Sequence, residues 1–162
     1  MRPDTEVLFV EDDAGDRELV ERALRRVARP GRWAIVGSVA EAKDYLNRAG
    51  VFTGAAEPHL IVLDLKLPGG DGREFLDYIK RDEALHHIPV VIFSGNLSPE
   101  TVIDCYSKHA NCCVSKPFDG KDYEDVLIAM LKFWSNTIFL PSRDVSTEQR
   151  KLAFKSFHEG PA

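Results

Sequence analysis

The sequence predicts an α/β fold in which helices cover both faces of a parallel sheet. Three observations carry this. Short apolar runs alternate with segments whose apolar residues recur at helical spacing. One run, His59-Leu60-Ile61-Val62-Leu63-Asp64-Leu65, is apolar almost throughout. Glycine and proline punctuate the stretches between them. A strand without polar alternation is covered on both faces, as parallel strands are. Parallel strands in turn need a crossover above or below the sheet, and a helix supplies it.

Val7 to Val10, bounded by acids, is the first predicted strand. Asp16 is placed to cap a helix that turns Leu19, Val20, Ala23, Leu24 and Val27 inward and ends before Pro30-Gly31. Trp33 to Val36 is the second strand. Ser38-Val39-Ala40-Glu41 has capping-box spacing, opening a helix through Leu46 to Gly50. The His59–Leu65 run is the third strand. Pro68-Gly69-Gly70-Asp71-Gly72 then forbids regular structure before a helix with Phe75, Leu76 and Ile79 on one side. Pro89 starts a fourth strand through Phe93, and Ser98-Pro99 is an N-cap and N1 pair for the next helix. Cys112 to Ser115 is the fifth strand. The last helix runs from Tyr123 to about Trp134, with Val126, Leu127, Met130 and Leu131 facing inward.

A chain of 162 residues with 44% hydrophobic and 29% charged residues supports one core and a short appendage. The expected division is a domain over 1–136 and a C-terminal extension over 137–162. A net charge of -5 argues against nucleic acid or an anionic membrane as partner. No stretch approaches the roughly 18 apolar residues of a membrane span, and the N-terminus lacks a signal-peptide core, so a cytoplasmic address is expected. Cys105, Cys112 and Cys113 fit neither a disulfide framework nor a zinc site and read as small apolar residues. The five histidines show no metal-ligand spacing.

In doubly wound sheets ligands bind beyond the carboxyl ends of the strands, where the strand order reverses. Glu11-Asp12-Asp13, Asp64, Ser94 and Lys116 all fall at such ends. With the flavodoxin-like order 2-1-3-4-5, the first and third strands are neighbours and their carboxylates converge. Packed like charges raise one another's pKa, and a hard divalent cation with oxygen ligands, Mg2+ by preference, relieves the repulsion. One carboxylate can then attack phosphorus while cations neutralise the phosphoryl oxygens. Asp64 is the best-placed nucleophile, Lys116 the point charge and Ser94 the hydroxyl donor. Each alone is compatible with turn or cap chemistry; their combination is not. Asp13 and Asp71 are assigned to loops.

Val10-Glu11-Asp12-Asp13, Leu63-Asp64-Leu65-Lys66-Leu67-Pro68 with Asp71-Gly72, Ser94, and Lys116-Pro117-Phe118 resemble the response regulator receiver pattern, over about residues 5 to 135. The resemblance implies Asp64 as phosphoacceptor for a histidine kinase, Ser94 as switch hydroxyl and Lys116 as phosphate-binding lysine. It implies Mg2+ on Asp12, Asp64 and the Lys66 backbone carbonyl, with Glu11 acting through water. It also implies a cis bond between Lys116 and Pro117, and an influence of the Lys66 side chain on phosphoaspartate lifetime. Cys113 departs from the pattern, standing where many receivers carry a switch aromatic. Asp71-Gly72-Arg73-Glu74-Phe75-Leu76, Asn111-Cys112, Phe133-Trp134-Ser135-Asn136-Thr137 and Leu140-Pro141 are similar to the stand-alone regulators of bacterial phytochromes. A phytochrome kinase is therefore the expected partner.

The tail adds Ser146 to Phe157 as a short amphipathic helix, too short to stand alone. Phe133, Trp134, Phe139, Leu140, Phe154 and Phe157 are expected to dock on a second copy or, failing that, on their own receiver. No output domain fits in this tail. The expected role is a phosphoacceptor signalling module rather than a metabolic enzyme. A phosphorylation-independent dimeric scaffold is the alternative. A Mg2+-dependent aspartyl phosphohydrolase is disfavoured by Lys66, where that chemistry wants a second aspartate. A flavodoxin-like nucleotide binder is disfavoured by the acidic loop, which repels a cofactor phosphate.

Overall fold

The structure, a computed structural model, describes residues 5–27, 31–137 and 140. Five parallel strands form one sheet among them: β1 (Glu6–Val10), β2 (Arg32–Val36), β3 (Leu60–Leu63), β4 (Val90–Ser94) and β5 (Cys112–Ser115). Their order is β2-β1-β3-β4-β5, the flavodoxin-like order. β1, β3 and β4 are buried along their whole length, as their unbroken apolar runs require.

Because successive strand residues point to opposite faces, each strand feeds two cores. Phe9, Val62 and Phe93 face α1 (Ala14–Arg26) and α5 (Gly120–Lys132), meeting Leu24, Leu127 and Leu131. Leu8, Leu63 and Ile92 face the other side, against α2 (Val39–Leu46), α3 (Gly72–Arg81) and α4 (Pro99–Ser107), meeting Tyr45, Phe75 and Cys105. Val10 is in register with both Val36 and Leu63, and Leu63 with Ile92. The carboxyl ends of β1, β3 and β4 therefore finish level with one another.

Several helix starts follow the expected chemistry. Ser38 accepts from Glu41 N at 3.1 Å while the Glu41 carboxylate accepts from Gly37 N at 2.6 Å, a capping box displaced by one residue. Ser98 caps α4, with Pro99 in its first turn. The first helix differs. Asp13, not Asp16, is its N-cap and accepts from Asp16 N at 2.9 Å. Two aspartates three apart compete for one cap, and the first wins because the helix begins at Ala14; this frees the Asp16 carboxylate. Asp71, expected in a loop, caps α3. The stretch before it is not wholly irregular, since Lys66–Leu67 pairs antiparallel with Gly70–Asp71 across Pro68 and a left-handed Gly69.

At the C-terminal end α5 continues as a wider π-type turn, Phe133–Thr137. Trp134 is buried in the α1–α5 core of its own chain, and Leu140 packs against the same core. Phe133 is 52% exposed. Phe139, Phe154 and Phe157 lie outside the described residues. No helix among the described residues is long and apolar enough to cross a membrane.

Candidate functional site

The site is built where β1, β3, β4 and β5 end. Backbone bonds continue the sheet one residue further: Glu11 N donates to Val36 O, Asp64 N to Val10 O and Lys116 N to Ser94 O. These bonds aim Glu11, Asp64 and Lys116 at one point. Each is 8% exposed or less and Ser94 is 1% exposed, so the site is held by packing rather than left on a mobile loop.

Both oxygens of Asp64 are engaged. Oδ1 accepts from Ser94 Oγ at 2.8 Å and from Lys66 N at 3.1 Å; Oδ2 accepts from Lys116 Nζ at 2.6 Å. The same ammonium donates to Glu11 Oε2 at 2.5 Å and to Asp16 Oδ2 at 2.8 Å. One cation thus holds three carboxylates from β3, the end of β1 and the first turn of α1. Glu11 is held further by Asp13 N, which donates to its Oε1 at 3.1 Å. Arg17 Nε donates to the Glu11 carbonyl at 2.7 Å, fixing the loop from α1.

The charges do not balance locally. Burial disfavours the ionised Glu11 carboxyl and, despite Lys116, raises it to about 7, with neighbouring Asp64 adding to the effect. Burial also pulls the Lys116 ammonium down, but the hydrogen bonds it donates to Asp16, Asp64 and Glu11 outweigh it and leave the group above its ordinary value. Lys116 is thus held in its charged form, inside a cluster with three carboxylates to one ammonium.

Carboxylate oxygens of Glu11, Asp16 and Asp64 lie within 4.8 Å of one another, which suits a hard divalent cation in size and donor type. Asp12, the expected direct ligand, is exposed on the adjoining loop and is not in this trio. The third member of the trio is Asp16, a residue the sequence reading had used as a helix cap. The cis bond expected before Pro117 is absent: every peptide bond among the described residues is trans. Trans is the lower-energy form of an X–Pro bond by about 0.5–1 kcal/mol, and it already delivers the lysine to the carboxylates.

Gly72 closes the floor of the site. Its N–H donates to Leu65 O at 3.1 Å, and a Cβ there would stand 2.5 Å from the Asp64 carbonyl oxygen. Cys113 turns away from the acidic cluster into the α3–α4 core beside Cys105. Burial, followed by neighbouring Cys105, pushes its thiol up to about 12. The aromatic pair next to the site is Phe93 and Tyr123, whose rings meet edge-on with centroids 5.0 Å apart.

Residues 7–128 match the family model described as response regulator receiver domain. The chain belongs to this receiver family. Its curated relatives include response regulator Rcp1 of Synechocystis, 34% identical over 140 residues that span 86% of this chain and 95% of that protein. Among solved receivers, the phosphorylated cyanobacterial phytochrome response regulator RcpA superposes with a TM-score of 0.81 at 35% identity, covering 85% of this chain and 99% of RcpA. Rcp1 itself has been solved in a Mn2+-bound form, with a TM-score of 0.80 at 33% identity and coverage of 85% and 99%. The bacteriophytochrome response regulator RtBRR covers 96% of this receiver chain, and 91% of its own, at 32% identity and a TM-score of 0.67.

Proposed function

We propose that this chain is a single-domain response regulator of a two-component phosphorelay, whose Asp64 accepts a phosphoryl group from a bacteriophytochrome histidine kinase in a Mg2+-dependent reaction. The observation that carries the reading is the placement of Asp64. A buried carboxylate at the strand-order switch has Lys116, Ser94 and the Lys66 N–H around it, three donors that suit phosphoryl oxygens as well as they suit a carboxylate. An Asp64 oxygen forms the new bond to phosphorus, the bond from phosphorus to the kinase histidine breaks, and the leaving nitrogen keeps the electron pair.

Asp64, Asp12 and the Lys66 carbonyl would hold Mg2+, with Glu11 acting through water, while Asp16 stays the ion-pair partner of Lys116 on the α1 side. The ion supplies charge neutralisation at the phosphoryl oxygens. Lys116 is drawn toward the phosphoryl group, and the buried Ser94 hydroxyl turns from the Asp64 carboxylate to the same oxygens. The outcome is a covalently marked protein with slow self-hydrolysis rather than repeated turnover of a substrate. Exposed Lys66, two residues after the nucleophile, disfavours the phosphohydrolase alternative.

The phytochrome partner is supported by the likeness to Rcp1, RcpA and RtBRR. We place the protein in the cytoplasm, where such kinases present their phosphohistidine. We assign residues 1–136 to the receiver and 137–162 to an arm that forms a homodimer together with exposed Phe133. The test is transfer from a purified, radiolabelled bacteriophytochrome kinase. Label should appear on the wild type when Mg2+ is present and be absent from Asp64→Asn; label on Asp64→Asn would contradict the assignment.

A further inference from the structure

Tyr123, in the first turn of α5, is 2% exposed, and its hydroxyl is buried without a hydrogen-bond partner among the described residues. Leaving such a group unpaired is costly, and phenylalanine would fill the same space at no such cost. The hydroxyl therefore needs an explanation from a state in which it does find a partner.

Its surroundings indicate which state. The Tyr123 ring packs on Phe93, the residue before Ser94, and Lys116 Nζ stands 6.0 Å from the centroid of that same Phe93 ring. After burial itself, the groups that act on the phenol are Lys116, Asp16, Glu11 and Asp64, all members of the acidic site. Burial and the three carboxylates keep it a protonated donor. Among these acids Asp16 is distinctive. It lies on α1, which packs along α5, and Lys116 is its ion-pair partner. Glu11 by contrast already accepts from Asp13 N, and Asp64 from Ser94 and Lys66.

On the reading that Asp64 is phosphorylated, Lys116 turns to the phosphoryl oxygens and Asp16 loses its counter-ion. We propose that Tyr123 is a positioning residue for that state, donating its hydroxyl to the Asp16 carboxylate once Lys116 has left it. The bond ties α5 to α1 only in the modified protein and holds Asp16 away from the phosphoryl group. It also gives the chain a route from the site to α5 that does not use the position of Cys113, which lies on the opposite sheet face.

The test is a double-mutant cycle read by thermal melting against beryllofluoride concentration at fixed Mg2+, in wild type, Tyr123→Phe, Asp16→Ala and the double variant. Tyr123→Phe should melt no lower than wild type without beryllofluoride, yet bind it about tenfold more weakly, the worth of one hydrogen bond to a charged group. In the Asp16→Ala background the same substitution should change affinity by less than about twofold. An equal loss in both backgrounds, or no loss in the wild-type background, overturns the proposal. So does a lower melting point of Tyr123→Phe without beryllofluoride at unchanged affinity, since the hydroxyl would then be bonded already at rest. Failure of wild type to bind beryllofluoride overturns the phosphoacceptor reading, and this inference with it.

Discussion

Lys116 Nζ lies 2.6 Å from Asp64 Oδ2 and shares its charge with Glu11 and Asp16, so one buried ammonium pairs with carboxylates from three segments of the chain. Removing one partner of a buried ion pair strands the others, and the penalty is commonly about 3–5 kcal/mol. Lys116→Met should therefore destabilise the protein by roughly that amount at neutral pH, with much of the loss recovered by added Mg2+. Asp64→Asn removes charge from the side in excess and should leave stability equal or higher. Urea denaturation of both variants checks the opposite signs.

Metal binding should depend on pH through Glu11. Its carboxyl is raised to about 7, so the group takes up a proton as pH falls through that value and no longer offers charge to a cation. Apparent Mg2+ affinity should fall between about pH 8 and about pH 6, and Glu11→Gln should flatten the dependence while weakening binding throughout. Stability of the metal-free protein should run the other way. A carboxyl raised in the folded state stabilises the fold fully below its unfolded value near 4.5, and that contribution is lost as pH rises through about 7. Calorimetric titration of Mg2+ across this range is the measurement.

Gly72 should accept no side chain. An alanine Cβ would lie 2.5 Å from the Asp64 carbonyl and 2.7 Å from Leu65 Cα, both backbone atoms that cannot yield without moving the Asp64 loop. Gly72→Ala should cost about 1–3 kcal/mol and weaken beryllofluoride binding as well. Normal binding in a destabilised variant would separate the floor of the site from its chemistry.

Glu124 clamps α5 to α1. It is 3% exposed, and its two oxygens meet Arg22 at 2.7 Å and Arg26 at 2.8 Å, each arginine about half exposed. Glu124→Ala releases Arg22 to water, leaves Arg26 paired with Asp125 and should cost about 1–2 kcal/mol. The double variant Arg22→Ala with Arg26→Ala strands the carboxylate in the core and should cost more. Thermal melting orders the two; the reverse order would mean that the glutamate reaches water once the arginines are gone.

Most of the sheet was readable because buried parallel strands are written as unbroken apolar runs, as at Leu60–Leu63 and Val90–Ser94. The convergence of Asp64, Glu11 and Ser94 was readable for a related reason, since each directly follows or ends such a run; Lys116 follows the less buried Cys112–Ser115 strand and was placed by its position after the fifth strand. Asp16 was hidden by its neighbour. Two aspartates three apart both satisfy the rules for a cap, and only the register of the helix start assigns the role to Asp13 and frees Asp16 for Lys116. A second acid in the first turn of the helix after β1 was the available signal. The unpaired hydroxyl of Tyr123 was not legible at all, because it depends on which face of the sheet Phe93 turns toward α5.

The central claim is that Asp64 is the nucleophile of a Mg2+-dependent phosphoryl acceptor. It is tested most directly by intact-mass spectrometry after incubation with acetyl phosphate, comparing wild type with Asp64→Asn, each with Mg2+ and with a chelator. The account predicts a single phosphoryl adduct on wild type that requires Mg2+ and vanishes in Asp64→Asn. An unmodified wild type, or an adduct that survives in Asp64→Asn, would contradict it.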